Sequence, residues 1–68
     1  MKKIKVFIER YLREEEIEFP GRNVKDLLNM LNLDWSRHIV IKNGEIVTED
    51  EEINDGDYIK ILDAVSGG

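Results

Sequence analysis

Only one stretch of the chain repeats its apolar residues at helical spacing. Val24, Leu27, Leu28 and Leu31 fall at i, i+3, i+4 and i+7, a single stripe that must be buried against something. The helix is expected to begin at about Val24. Asn23 can cap its first free amides, and Asp26 three residues later both completes a capping box and suits the positive end of the helix dipole. Helical structure should fade around Asn32 to Asp34. Met30 flanks the stripe and reads as filler at an uneven core edge.

On either side of that helix the pattern has period two. Ile4, Val6 and Ile8 alternate with Lys3, Lys5, Phe7 and Glu9, the signature of a half-buried strand. Ile17 and Phe19 alternate with Glu16 and Glu18, which gives a second strand, joined to the first near Tyr11 to Arg13 and stopped by Pro20-Gly21. After the helix, Trp35-Ser36-Arg37-His38 reads as a connection, with Trp35 capping the core. The β-branched run Ile39-Val40-Ile41-Lys42 then ends at Asn43-Gly44, where both residues tolerate the positive φ of a type I′ hairpin turn. Glu45-Ile46-Val47 is the return strand. The turn Asn54-Asp55-Gly56-Asp57 precedes the last strand, in which Ile59 and Ile61 alternate with Tyr58, Lys60 and Leu62.

Strand, strand, helix, strand, short strand, strand is an α+β order, a mixed sheet of four to five strands with one helix on one face. Its other face is open. Phe7, Val40, Tyr58 and Leu62 fall on the side opposite the inferred core positions, so they are candidates for an apolar protein-binding patch.

Sixty-eight residues suffice for one such domain, and a domain this small buries only about 60% of its unfolded surface. That leaves little room for a catalytic pocket. There is no cysteine, so disulfides, thiolate metal sites and a thiol nucleophile are all excluded. His38 is the single histidine and has no partners of ligand type; it is assigned a surface or strand-edge role, and no metal site is expected. The Asp55-Gly56-Asp57 carboxylates lack the further oxygen ligands of a calcium loop and read as a turn.

Acids outnumber bases fifteen to ten, mainly in Glu14-Glu15-Glu16 and Glu49-Asp50-Glu51-Glu52. Such a surface repels polyphosphate, so nucleic acid and anionic membranes are poor partners and a basic protein is a better one. Met1-Lys2-Lys3 leads into a short alternating run, not a long apolar segment, which points to a soluble, cytoplasmic chain.

The chain closes on Asp63-Ala64-Val65-Ser66-Gly67-Gly68, where nothing can pack. Residues 1–63 are therefore expected to form the domain and 64–68 a flexible tail. The stretch Ile39 to Val47 with its Asn-Gly turn, then Ile53 to Ile61 with its Asp-Gly-Asp turn, then Val65-Ser66-Gly67-Gly68, resembles the ThiS/MoaD family of prokaryotic sulfur carriers. The whole chain fits that family in length and element order. The resemblance implies a ubiquitin-like β-grasp fold, and it is closer to ThiS, the carrier for the thiazole of thiamine. The chain is short and lacks the Pro-Pro that MoaD, the molybdopterin carrier, commonly has before its Gly-Gly. The Arg10 to Glu16 hairpin is longer than the compact ThiS pattern.

The resemblance further implies that the chain is no enzyme and binds no cofactor of its own. A ThiF/MoeB-like adenylating enzyme would consume ATP to activate the Gly68 carboxylate. A sulfur donor of cysteine desulfurase or rhodanese type would convert it to a thiocarboxylate. A synthase such as thiazole synthase would take the sulfur, with molybdopterin synthesis or tRNA thiolation as other destinations. Gly67 and Gly68, lacking Cβ, can thread a narrow channel toward ATP, with Ser66 and Val65 setting register at its mouth. Two other readings compete. One is a β-grasp module that binds a partner through its open face without covalent chemistry, and the other is a ubiquitin-like modifier attached to lysines of other proteins.

Overall fold

The computed structural model describes residues 1–64, and five strands and one α-helix account for most of them. In chain order these are β1 (Lys2–Ile8), β2 (Arg13–Phe19), α1 (Val24–Met30), β3 (His38–Lys42), β4 (Glu45–Val47) and β5 (Tyr58–Asp63). Single 3₁₀ turns at Glu9–Tyr11 and Trp35–Arg37 lead into β2 and β3. The strands form one mixed sheet in the order β2-β1-β5-β3-β4. Its two central strands, β1 and β5, run parallel although they are the first and last of the chain, and the other pairings are antiparallel.

The helix begins where the sequence places it. Asn23 accepts from the Asp26 amide while the Asp26 carboxylate accepts from the Asn23 amide, the reciprocal capping box. The next free donors are taken up from outside: Val24 N–H donates to Glu51 O and Lys25 N–H to Glu49 O. The acidic loop between β4 and β5 is thereby tied to the helix. Ile53 comes with it; its amide donates to Arg22 O and its side chain is fully buried. Ile53 joins Ile4, Val6, Phe19, Val24, Leu27, Leu28, Val40, Ile59 and Ile61 in one core, and Trp35 packs against its edge as expected.

Val40 is the correction. It was expected on the open face, yet it is wholly inaccessible and lies in the core. Ile39-Val40-Ile41 has no polar member to fix its phase, so pairing with β5 decides which side faces in. The register sets Val40 opposite Ile61 and Ile39 opposite Leu62, which turns Ile39 and Ile41 outward. His38, expected at a surface or strand edge, is also buried.

Turn chemistry follows the sequence. Asn43 and Gly44 have φ of 50° and 88°, as a type I′ turn requires. Asp55 and Asp57 spend their carboxylates on the chain itself: Asp55 accepts from the Lys3 amide at 2.7 Å, and Asp57 accepts from the Asn54 amide and the Asn43 side chain. Gly21 has another reason to be glycine. A Cβ there would lie 2.7 Å from both the Asp26 Cβ and the Phe19 ring.

Candidate functional site

Two features built by the sheet bear on function, the end of β5 and the open face. Because β5 runs parallel to β1 in the sheet centre, its last residues emerge beside the β1–β2 turn and the start of β3. Asp63 is gripped from both sides there. Arg10 Nε lies 3.6 Å from one carboxylate oxygen and His38 Nε2 3.4 Å from the other. The Ala64 amide donates to Arg37 O at 2.9 Å, extending the antiparallel tie past the last strand residue. The His38 ring is itself held, with Nδ1 2.8 Å from Asp34 O. Asp34 also accepts from the Ser36 amide and hydroxyl, which hold its carboxyl below the usual carboxylate range.

On the open face, Lys5 and Phe7 of β1 lie beside Tyr58 and Lys60 of β5, and Leu62 lies opposite Ile39 of β3. Ile41 faces Ile46 on β4, which is 76% exposed. Phe7, Tyr58 and Leu62 are thus brought to one side of the sheet with Ile39, Ile41 and Ile46, while Val40 is not. Tyr58 is the most constrained of these. Its hydroxyl donates to Glu14 Oε2 at 2.8 Å, which pushes the phenol above its ordinary pKa because ionising it would set two anions together. Its amide donates to the Asn43 side-chain oxygen, and its carbonyl accepts from the Asn43 amide.

Val65, Ser66, Gly67 and Gly68 lie outside the described residues. Arg10, His38, Asp63, Ile39 and Ile41 were not singled out for a site from sequence. For Ile39 and Ile41 the signal was there, since the alternative phase of the same strand points them outward. For the Asp63 grip no signal existed, because its members are distant in sequence and meet only through the sheet order.

Among the described residues no group of three or more His, Cys, Asp or Glu side chains is arranged to hold a metal ion, and no helix is long and apolar enough to cross a membrane. In the cluster at Asp63 the Arg10 and Asp63 side chains are partly solvent-exposed while the His38 ring is nearly buried.

The ThiS family matches residues 4–68. The sulfur carrier protein TtuB of Thermus thermophilus is 28% identical over 60 residues, covering 87% of this chain and 92% of its own. A solved structure from Pyrococcus furiosus, assigned as a molybdopterin converting factor, subunit 1, superposes with a TM-score of 0.77 at 29% identity, covering 96% of this chain and all of its own. Family carriers of this kind work with adenylating and sulfur-transfer enzymes and are not catalysts themselves. With a helix laid across a five-stranded sheet, its parallel central pair made of the first and last strands, and a family match running through Gly68, the chain belongs to the ThiS family of ubiquitin-like β-grasp sulfur carrier proteins.

Proposed function

We propose that the working group is the carboxylate of Gly68, carried by this domain between two enzymes. An adenylating enzyme of ThiF/MoeB type binds the domain, the Gly68 carboxylate attacks the α-phosphorus of ATP, and pyrophosphate leaves. With a pKa of about 3.3 to 3.7 a terminal carboxyl is ionised at neutral pH, yet its acyl carbon is inert until an oxygen becomes part of a good leaving group. A persulfide on a partner cysteine then displaces AMP, and a thiol reductant cleaves the resulting acyl disulfide to leave a thiocarboxylate on Gly68. That sulfur passes to an acceptor held by a second enzyme. The acceptor we favour is the thiazole of thiamine. Molybdopterin is the second reading, favoured by the structural likeness to a protein assigned to molybdopterin conversion.

The observation that carries this reading is the family match, which extends through Gly67 and Gly68. The geometry supports it: the last strand is paired with β3 through Asp63 and the Ala64 amide is bonded to Arg37 O, which gives the segment after it a defined origin. The Phe7, Tyr58, Leu62, Ile39 and Ile41 face supplies an apolar surface for the enzyme to hold.

Intact-protein mass spectrometry tests the proposal, after incubation with ATP, cysteine, a cysteine desulfurase and a ThiF-type enzyme. The expected result is a mass gain equal to replacing one oxygen by sulfur, located on Gly68 by fragmentation and absent when Gly68 is deleted. An unchanged mass, with no acyl-adenylate formed, would overturn it.

A further inference from the structure

The helix side of the sheet is covered unevenly. The stripe of α1 packs into the core with residues of β1, β3 and β5 and with Phe19 at the end of β2. Toward the start of β2 the cover runs out. There Ile17, Glu15 and Arg13 stand opposite Ile4, Val6 and Ile8, and Arg13 and Glu15 are exposed. Ile17, Tyr11, Leu12, Leu31 and Leu33 contribute to an open groove of about 660 Å³ along this flank. The Arg13 and Glu15 side chains lie 3.4 Å apart along its β2 wall and offset one another's charge.

That groove borders an edge strand. β2 is seven residues long and, among the described residues, pairs only with β1. In an antiparallel strand every second residue turns its N–H and C=O away from its partner, so the outer edge of β2 offers a row of free donors and acceptors. Its opposite face carries Glu14, Glu16 and Glu18; Lys5 and Lys3 of β1 stand opposite Glu16 and Glu18 in the register but outside ion-pair distance, so the outermost row of this face is acidic. A second copy of the chain is a poor occupant, because antiparallel β2 edges would set these acids against each other.

The wall of the groove is held open at a cost. Leu12 is 80% exposed and sits in the left-handed region at φ 48°, with its amide bonded to Glu9 O. Leucine disfavours that conformation by roughly 1–2 kcal/mol. Asparagine would fit the turn better and would remove the apolar wall.

We propose that the outer edge of β2 and the groove behind it form a docking surface for an extended segment of a partner protein in which apolar and basic residues alternate. Added beside β2, such a segment places its apolar side chains into the groove against Leu12, Ile17 and Leu33 and its basic side chains beside Glu16 and Glu18. The main-chain ladder supplies the shared attraction and the two faces supply the choice of partner. The groove lies on the side of the sheet opposite Phe7 and Tyr58, and only the Glu16 and Glu18 row adjoins that face; the proposal stands without the carrier chemistry.

The test is an NMR titration of the full chain with an acetylated, amidated peptide of alternating Val and Lys, about seven residues long to match β2. The expected result is saturable binding below about 1 mM, slowed amide exchange at alternate β2 residues, and shifts at Leu31 and Leu33. Binding should weaken with salt and fall at least about tenfold in Leu12→Asn, and likewise in the double variant Glu16→Lys with Glu18→Lys. Leu12→Asn should fold at least as well as the parent, so its loss of binding cannot be ascribed to unfolding. The proposal is overturned if no shifts appear by about 1 mM. Equal binding by the peptide with Glu in place of Lys would also overturn it, as would shifts centred on Ile39 and Leu62. Self-association of the free chain through β2 would identify a second copy as the occupant and overturn it too.

Discussion

His38 Nε2 faces Asp63 Oδ1 at 3.4 Å while the other ring nitrogen lies 2.8 Å from Asp34 O. A carbonyl only accepts, so Nδ1 carries the ring proton and the neutral ring presents a bare Nε2 to a carboxylate. Only the imidazolium can donate to both partners. Asp63 is the next-to-last described residue, and the Arg10 pair together with the Ala64 amide's bond to Arg37 O holds the point from which the chain leaves the sheet.

The two halves of the grip should differ in weight. The His38 side chain is 5% exposed, whereas that of Arg10 is 54% exposed. His38→Ala removes a buried ring and its bond to Asp34 O, and should lower stability by about 2 kcal/mol. Arg10→Ala breaks an exposed pair and should cost less than about 1 kcal/mol. Urea midpoints for the two variants check this, and equal losses would show that the ring is not the anchor.

Stability should fall at both extremes of pH, for opposite reasons. Asp26 is held below the usual carboxylate range by the Arg22 and Asn23 amides, Asp34 by the Ser36 amide and hydroxyl, and Asp50 by the Thr48 hydroxyl. Their contribution is present above the ordinary value of 3.8 and is lost as pH falls through the lowered folded values. Lys42 is held above its ordinary 10.5 by its bond to Glu51, and Tyr58 above 10.0 by its bond to Glu14. Their contribution is present below those values and is lost as pH rises through the raised ones. Melting temperatures should therefore form a plateau bounded near 4 and near 10 on the pH scale, by about these ordinary values. Asp26→Asn should flatten part of the acid limb. An acid limb identical in that variant would remove the capping carboxylate from the account.

Gly21 and Gly44 should respond to alanine through different physics. Gly44 has φ 88° with open space around its absent Cβ, so alanine there is strained only by its backbone, about 1 kcal/mol. Gly21 has no such φ, but an added Cβ would lie 2.7 Å from the buried Phe19 ring and from the Asp26 Cβ. Overpacking against a core ring and a capping side chain should cost about 1–3 kcal/mol. Thermal unfolding of the two variants ranks them, with Gly21→Ala expected to melt lower.

What the sequence made legible was whatever local pattern determines. The Asn23 and Asp26 box, the Val24 to Leu31 stripe, the Asn43-Gly44 turn and the phase of β1 and β5 all depend on residues a few positions apart, and each was found in place. What was not legible needs partners far along the chain. Val40 sits in an all-apolar run whose phase only β5 can set. Ile53 lies in a loop with no periodicity and is buried because that loop satisfies the first amides of α1. The Asp63 grip joins residues from three separate turns and strands, so neither spacing nor composition could announce it. The Gly67-Gly68 end is read from its chemistry alone and lies outside the described residues.

The reversal of β3 relative to its sequence reading makes the open face testable by neighbouring residues. Ile41 and Leu62 point outward beside Tyr58 and Lys60, while Val40, between Ile39 and Ile41, is fully buried. Ile41→Asp and Leu62→Asp place a charge where water can reach it, so each should change stability by less than about 1 kcal/mol. If the face docks an adenylating enzyme, each should weaken that complex at least about tenfold, through loss of apolar contact and a new unpaired charge in the interface. Val40→Asp puts an unpaired carboxylate in the core and should unfold a domain whose total stability is only a few kcal/mol. Circular dichroism and calorimetric titration on the three variants separate the effects. Folded Ile41→Asp and Leu62→Asp proteins that bind the enzyme as tightly as the parent would move the docking surface off this face, while the Gly68 chemistry would remain to be judged by its own mass shift.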